Sequence, residues 1–261
     1  MTRIPRVLSI AGSDSGGGAG IQADLKAFAA CGAHGMTAIT AITAQNTLGV
    51  SAVHAVPPDV IVEQVRQVAT DIGVDAVKIG MLGNVATIDA VVEALAHVGE
   101  APVVIDPVMV AESGATLLDE DAREALRTRL LPLAAVTTPN LAEAEVLAAG
   151  AGQPEELARR IHALGARAVV VTGGHRTEAT DVFFDGERLE EILGERHPGG
   201  AAHGSGCTHS SALAAYLAHG DEPLEAARRA KALAARAVRD GLREIGEGPG
   251  PVDVTGIIGR A

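Results

Sequence analysis

At 261 residues the chain can bury a sizeable core as one large α/β domain or two small ones, so it is no short peptide scaffold. With 47% hydrophobic and 21% charged residues it has the composition of a folded globular chain, which excludes extended disorder. A net charge of −12 and only 2% aromatic residues argue against nucleic acid and anionic membrane as partners, because neither a basic surface nor base-stacking platforms are supplied.

In chain order, short β-branched runs at 7–11, 37–43, 74–79, 103–106, 135–138 and 168–172 predict buried strands. Between them, stretches of helical period at 19–31, 59–71, 87–97, 119–130, 141–149 and 154–164 predict helices. That alternation predicts βαβ units in a mainly parallel sheet with helices on both faces. Two segments break the pattern. Residues 47–56 and the DVFFDGERLEEIL run, whose Asp185-Gly186 is a hairpin signal, predict an antiparallel edge or a small β flap. From His203 onward the chain turns helical, with helices expected at 212–219 and 223–242, and the Gly/Pro-rich 246–251 reads as a loop. No linker, fixed repeat or low-complexity block divides the chain, so one domain over 1–261 is expected. Its ligand belongs beyond the carboxyl ends of the parallel strands.

The basic residues Arg228, Arg229, Lys231, Arg236, Arg239 and Arg243 are spaced among alanines and read as a solvated helix face. Two cysteines, no stretch resembling a secretory signal and no apolar run of membrane-spanning length fit a cytoplasmic protein.

Four segments can carry chemistry. Residues 11–20, AGSDSGGGAG, join the first strand to the first helix, as a ligand loop or simply as a permissive turn. They match neither a Walker loop nor GxGxxG. Residues 203–208, HGSGCT, precede a long helix, whose first N–H groups make an anion site. Cys207 there is either a base whose thiol pKa the helix dipole lowers or a small buried hydrophobe. Asn140 and Glu143 open a helix after a strand and fit either water-mediated Mg²⁺ binding or a helix cap. Asp106 ends a strand and faces the expected crevice. The nine histidines show no zinc spacing.

Taken together, AGSDSGGGAGIQADLK, TAQNTLGV, KIGML, DPVM, TPNLAEAE, GGH and HGSGCT, in this order over nearly the whole chain, closely resemble the hydroxymethylpyrimidine/phosphomethylpyrimidine kinases of thiamine biosynthesis. These are members of the ribokinase-like superfamily. The resemblance implies an ATP- and Mg²⁺-dependent kinase that phosphorylates 4-amino-5-hydroxymethyl-2-methylpyrimidine and then its monophosphate, as a homodimer. It implies that Gln45 reads the aminopyrimidine edge, since an amide both donates and accepts. Gly12, Thr43, Met81 and Val108 would complete that pocket and Asp24 would orient its polar side. Gly204, Ser205, Gly206 and Cys207 match the anion hole, with Cys207 as base. Asp106, Asn140 and Glu143 match the Mg²⁺-associated positions, and Thr172, Gly174 and His175 the nucleotide end.

The chain departs from the family pattern in three places. Ala201-Ala202 stand where Asn-Thr is common before His203, Thr172 where Lys often precedes the GGH, and Glu112 where Lys is frequent. Two other readings stand beside the kinase: a pyridoxal or pyridoxine kinase, and a non-catalytic protein that senses the pyrimidine. Gln45 and Met81 favour the pyrimidine over pyridoxal. A nicotinamide oxidoreductase lacks its glycine pattern here.

Overall fold

The computed structural model describes residues 3–111, 114–173, 179–257 and 259. The first half runs Arg6–Ser13 (β1), Gly20–Ala30 (α1), His34–Gln45 (β2), Val50–Ala55 (β3), Pro58–Asp71 (α2), Ala76–Ile79 (β4), Val85–Leu95 (α3), Val103–Ile105 (β5) and Glu120–Ala125 (α4). The second runs Val136–Thr137 (β6), Leu141–Leu147 (α5), Pro154–His162 (α6), Val169–Val171 (β7), Asp181–Phe184 (β8), Leu189–Ile192 (β9), Ser205–Ala218 (α7) and Pro223–Arg239 (α8).

The strands form one sheet in the order β3-β2-β1-β4-β5-β6-β7-β8-β9. From β2 to β7 all neighbours are parallel, while β3 at one end and the β8–β9 hairpin at the other are antiparallel. The expected antiparallel edge is therefore present at both ends. Alternation along β1 decides which core each residue joins, because successive side chains point to opposite faces. Leu8 and Ile10 pack with Ile61, Val65, Ile88, Leu147 and Ile161 from α2, α3, α5 and α6. Val7 packs with Phe28 of α1, Leu213 of α7 and Leu224 of α8. Both faces are covered, which is why the central strands read as mainly apolar runs without strict alternation.

Two helices differ from the sequence expectation. The helix expected over 119–130 ends at Ala125 and continues as a π-helical turn, Leu126–Leu130, before a 3₁₀ turn at Leu131–Leu133 that contains Pro132. Helix α7 starts at Ser205, seven residues before the expected 212. Its polar first turns carry little helical periodicity, and Gly204 at φ 82° sets the start by a backbone conformation rather than by propensity. No helix among the described residues is long and apolar enough to cross a membrane.

From β1 the chain goes first to β2 on one side and later to β4 on the other. The carboxyl ends of β1 and β4 therefore flank a topological switch point, where open α/β sheets form their crevice.

Candidate active site

The loop after β1 is folded around one carboxylate. Asp14 accepts hydrogen bonds from the N–H groups of Gly16 (2.8 Å), Gly18 (3.0 Å) and Ala19 (2.8 Å), and faces His203 Nε2 at 3.0 Å. Burial opposes its charge, but His203 and the loop N–H groups outweigh that and hold the carboxyl below its ordinary range. The loop is thereby clipped to the segment before α7. A Cβ on Gly204 would lie 1.8 Å from the Gly18 carbonyl oxygen, so only glycine allows this approach.

A cavity of about 420 Å³ opens beyond the strand ends. At one end lie Gly12, Thr43, Gln45, Met81 and Val108, the residues assigned to the pyrimidine. A Cβ on Gly12 would come within 2.3 Å of the Met81 methyl, so the glycine makes room for that side chain. The Thr43 hydroxyl donates to Ser13 O at 2.7 Å and lies 3.2 Å from Gln45 Oε1. Thr40 donates to Met81 O at 2.8 Å, which ties β2 to the turn after β4.

Asp24 does not line this cavity, contrary to its assignment. It is fully buried behind the wall, bound to Lys78 Nζ (2.8 Å) and accepting from Ser9 (2.5 Å) and Ser211 (2.7 Å). An acid in the first turns of α1 points to the sheet, and the group that reaches the cavity is Lys78. Burial works against the Lys78 charge, yet Asp24 foremost, with Cys207 and Asp106, raises its pKa, so it stays an ammonium.

In the middle, Gly204, Ser205, Gly206 and Cys207 line the cavity at the start of α7. The Ser205 N–H is already given to Ala202 O at 2.9 Å. The N–H groups of Gly206 and Cys207 belong to the first turn and have no intrahelical acceptor, so they are the donors an anion would meet. The Cys207 thiol corrects the sequence expectation of a lowered pKa. Burial pushes it up to about 12, and Asp24 and Asp106 add to the rise, while Lys78 and a Gly20 N–H oppose it. The dipole is present, but desolvation outweighs it.

Asp106 and Glu143 also face the cavity. Burial raises the Asp106 pKa, Asp24 adds to this, and Lys78 and the Ser210 hydroxyl, 3.0 Å away, pull it back. Glu143 is pushed up to about 8 by burial and by the Asp106 charge. It is also half of a capping box: Glu143 N–H donates to Asn140 Oδ1 and Asn140 N–H to Glu143 Oε2, both at 2.9 Å. The cap is thus formed, on residues that line the cavity as well.

At the far end, Thr172 lines the cavity, while Gly174 and His175 lie outside the described residues, as does Glu112. Sequence reasoning missed three residues here: Asp181, His209 and Lys231. Lys231 is buried and its Nζ bonds Asp181 at 2.5 Å, so it does not belong to the solvated face to which it was assigned. It lies on the α8 stripe of Leu224, Ala227, Ala234 and Val238, a spacing legible in the sequence.

A mainly parallel sheet with a glycine loop, a helix start whose first N–H groups have no intrahelical acceptor, and acidic groups around one cavity is the arrangement of a ribokinase-like kinase. The family model described as phosphomethylpyrimidine kinase matches residues 14–253. The chain is 52% identical to the hydroxymethylpyrimidine/phosphomethylpyrimidine kinase of Rhizobium meliloti, over 94% of this chain and 95% of that one. It is 47% identical to a bifunctional thiamine biosynthesis protein of Geobacter sulfurreducens, over 95% of this chain but only 51% of that protein, so it spans about half of that relative. A Bacillus subtilis pyridoxal kinase, solved as an ADP complex, superposes with a TM-score of 0.89 and 39% identity, over 98% of this chain and 99% of that one. The chain belongs to the phosphomethylpyrimidine kinase family.

Proposed function

We propose that this chain transfers the terminal phosphoryl group of ATP to the hydroxymethyl oxygen of 4-amino-5-hydroxymethyl-2-methylpyrimidine, and then phosphorylates the monophosphate to the diphosphate used for thiamine. The observation that carries this reading is the single cavity that joins Gln45 and Met81, through the start of α7, to Thr172 and Lys231. An acceptor ring at one end and a nucleotide at the other would meet at the Gly206 and Cys207 N–H groups.

Gln45 offers a donor and an acceptor to the aminopyrimidine edge, and Met81 and Val108 offer apolar contact to the ring. Donors fixed at the place where charge develops are each worth about 10²–10³-fold in rate, so positioning and charge stabilisation supply most of the catalysis. Cys207 takes the hydroxyl proton as its thiolate, a form that Lys78 favours and burial resists. Asp106 and Glu143 fit Mg²⁺, since a divalent cation relieves the repulsion that raises the Glu143 pKa. No cluster of three ligating side chains occurs among the described residues, so the ion would be held through water and phosphate oxygens, with Asn140 beside them. When bound it would neutralise charge on the phosphates.

The exposed apolar side chains Ile42, Leu48 and Val53 around β2 and β3 support a homodimer seated on this edge, which light scattering would test. Cys31 and Cys207 are both free thiols, in keeping with a reducing cytoplasm.

The deciding experiment offers Mg-ATP with the hydroxymethylpyrimidine, its monophosphate or pyridoxal, and follows ADP release and product mass. Mono- and diphosphate formed from the pyrimidines are expected. Reaction with pyridoxal alone would instead favour the vitamin B6 reading that the Bacillus neighbour suggests. Pyrimidine binding without transfer to any acceptor would leave a sensor.

A further inference from the structure

The Gly/Pro-rich segment after α8 touches both ends of the site without lining the cavity itself. It folds back on itself, with Leu242 N–H donating to Pro251 O at 2.8 Å, and runs beside the residue that precedes Gly204. His203 N–H donates to Gly250 O at 3.3 Å and Val252 N–H to His203 O at 3.1 Å. The His203 ring in turn faces Asp14, at the centre of the glycine loop. Pro251 lies against that loop too: a Cβ on Gly18 would stand 3.2 Å from its side chain and closer still to the His203 ring. On this side the segment is fastened to the anion site.

On the other side it meets Thr47, in the turn between β2 and β3. Gly248 N–H donates to Thr47 Oγ1 at 3.2 Å. A Cβ on Gly248 would lie 1.9 Å from the Thr47 carbonyl oxygen, so the two backbones touch. Pro249 and Pro251 flank these contacts, and their fixed φ makes the segment a stiff spacer rather than slack chain.

The turn that receives this contact carries Gln45. The β2–β3 ladder shifts register between Ala44 and Gln45, so regular pairing alone does not set where Gln45 stands. Instead the Ser15 hydroxyl donates to Gln45 O at 2.6 Å and accepts from Gln45 N–H at 2.8 Å. Asn46 Oδ1 accepts from the N–H groups of Leu48 and Gly49, and Asn46 N–H donates to Gly49 O. Residues 45–49 are thereby one body, and a push at Thr47 is felt at Gln45.

We propose that residues 246–252 are a strap that sets the separation between the pyrimidine end and the anion site, with Thr47 as the positioning residue through which it acts on Gln45. The inference rests on the kinase reading of the cavity. The acceptor oxygen and the phosphoryl group must meet in line, and a misplacement of about 1 Å costs about 10²-fold in rate. Both ends are borne by loops at the strand ends, and the strap, with the glycine loop, is what they share.

The test compares Thr47→Val, Thr47→Ser and Gly248→Ala with the unaltered protein, by steady-state kinetics with Mg-ATP and the hydroxymethylpyrimidine, by calorimetric binding of the pyrimidine alone, and by thermal unfolding. Alanine at 248 must open the contact with Thr47 by about 1 Å, and should lower kcat about 10–10²-fold, a larger factor than the loss in pyrimidine affinity. Thr47→Val keeps the branched shape but removes the acceptor, so kcat should fall about 3–10-fold, and Thr47→Ser, which keeps the hydroxyl, should recover most of that. Lower melting temperatures with kcat of the folded protein unchanged would overturn the proposal and leave the segment a structural tie. A raised KM with unchanged kcat would overturn it as well, since the strap would then only shape the pyrimidine pocket. Should Gly248→Ala not fold, Thr47→Val against Thr47→Ser decides. Failure of the unaltered protein to phosphorylate the pyrimidine would remove the kinase reading and the strap's role with it, an outcome distinct from unchanged kcat in the variants.

Discussion

Replacing Glu143 by Gln tests the electrostatics of the carboxylate pair directly. The Glu143 pKa rises from 4.5 to about 8 on folding, through burial first and the Asp106 charge second. At about 1.36 kcal/mol per unit this corresponds to roughly 5 kcal/mol as a ceiling, and a shared proton with Asp106 brings the working figure to about 2–5 kcal/mol. The sign follows from linkage. A carboxyl whose folded pKa is raised favours folding fully below its unfolded pKa, and that contribution is lost as pH climbs through the folded value. The unaltered protein should therefore lose stability between about pH 5 and about pH 9, while Glu143→Gln has no proton to lose there. The amide keeps an acceptor for the Asn140 N–H but turns an NH₂ toward the Met109 N–H, 3.4 Å from Oε1, which costs about 1 kcal/mol at every pH. The quantity to read is thus the difference between the two pH values, from urea midpoints at constant slope. Parallel pH profiles for the two proteins would refute the reasoning. Mg²⁺ with a nucleotide should also flatten the profile of the unaltered protein.

Lys78→Met strands Asp24 as a buried unpaired acid and should cost about 3–5 kcal/mol in chemical denaturation, with Asp24→Asn restoring part of it; no change in midpoint would disprove the pairing. Cys207→Ala should lower kcat at least about 10²-fold with pyrimidine binding retained, and the thiol at about 12 requires kcat/KM of the unaltered protein to keep rising through the alkaline range, as a pH–rate series would show. Gln45→Ala should raise KM for the aminopyrimidine about 10-fold through the lost amide contacts, measured by steady-state kinetics, and unchanged constants would contradict the pocket. Gly204→Ala forces a side chain into φ 82° and against the Gly18 carbonyl, so it should cost more than about 1–2 kcal/mol in thermal unfolding, and a neutral substitution would show that the loop and α7 are not locked together.

Much of the fold is legible because burial leaves a simple trace: β1, β4 and β5 are short, mainly apolar runs, β2 is rich in β-branched residues, and α2, α3 and α6 carry one apolar stripe each. The start of α7 is not legible by that means. Its residues are polar and small, and their helical state comes from Gly204 and from packing between α1 and α8. The cavity residues at the strand ends, Gly12, Thr43, Gln45, Met81 and Val108, are recognisable by motif. Asp24 and Lys231 are misplaced for one shared reason: a charge in the sequence reads as solvated or functional, whereas each is here one side of a buried pair whose partner is distant in the chain. Lys78 lies 54 positions from Asp24, and Asp181 lies 50 positions before Lys231.

The same long-range pairing explains why Cys207 fails as a local argument. Helix position alone predicts a stabilised thiolate. Yet that thiol faces Asp24 and Asp106 as well as Lys78, and Lys78 is already neutralised by Asp24 at 2.8 Å. The resting site therefore resists further negative charge on the thiol and on Glu143 alike. An arriving nucleotide brings more negative charge to the same place. Cation delivered with the phosphates would let Asp106 and Glu143 ionise together, so binding of a metal-complexed nucleotide and release of protons would be one linked event. On this reasoning a bare nucleotide would meet an acidic wall, and selectivity for its cation complex would reside in the carboxylates at the ends of the strands rather than in a cage of metal ligands.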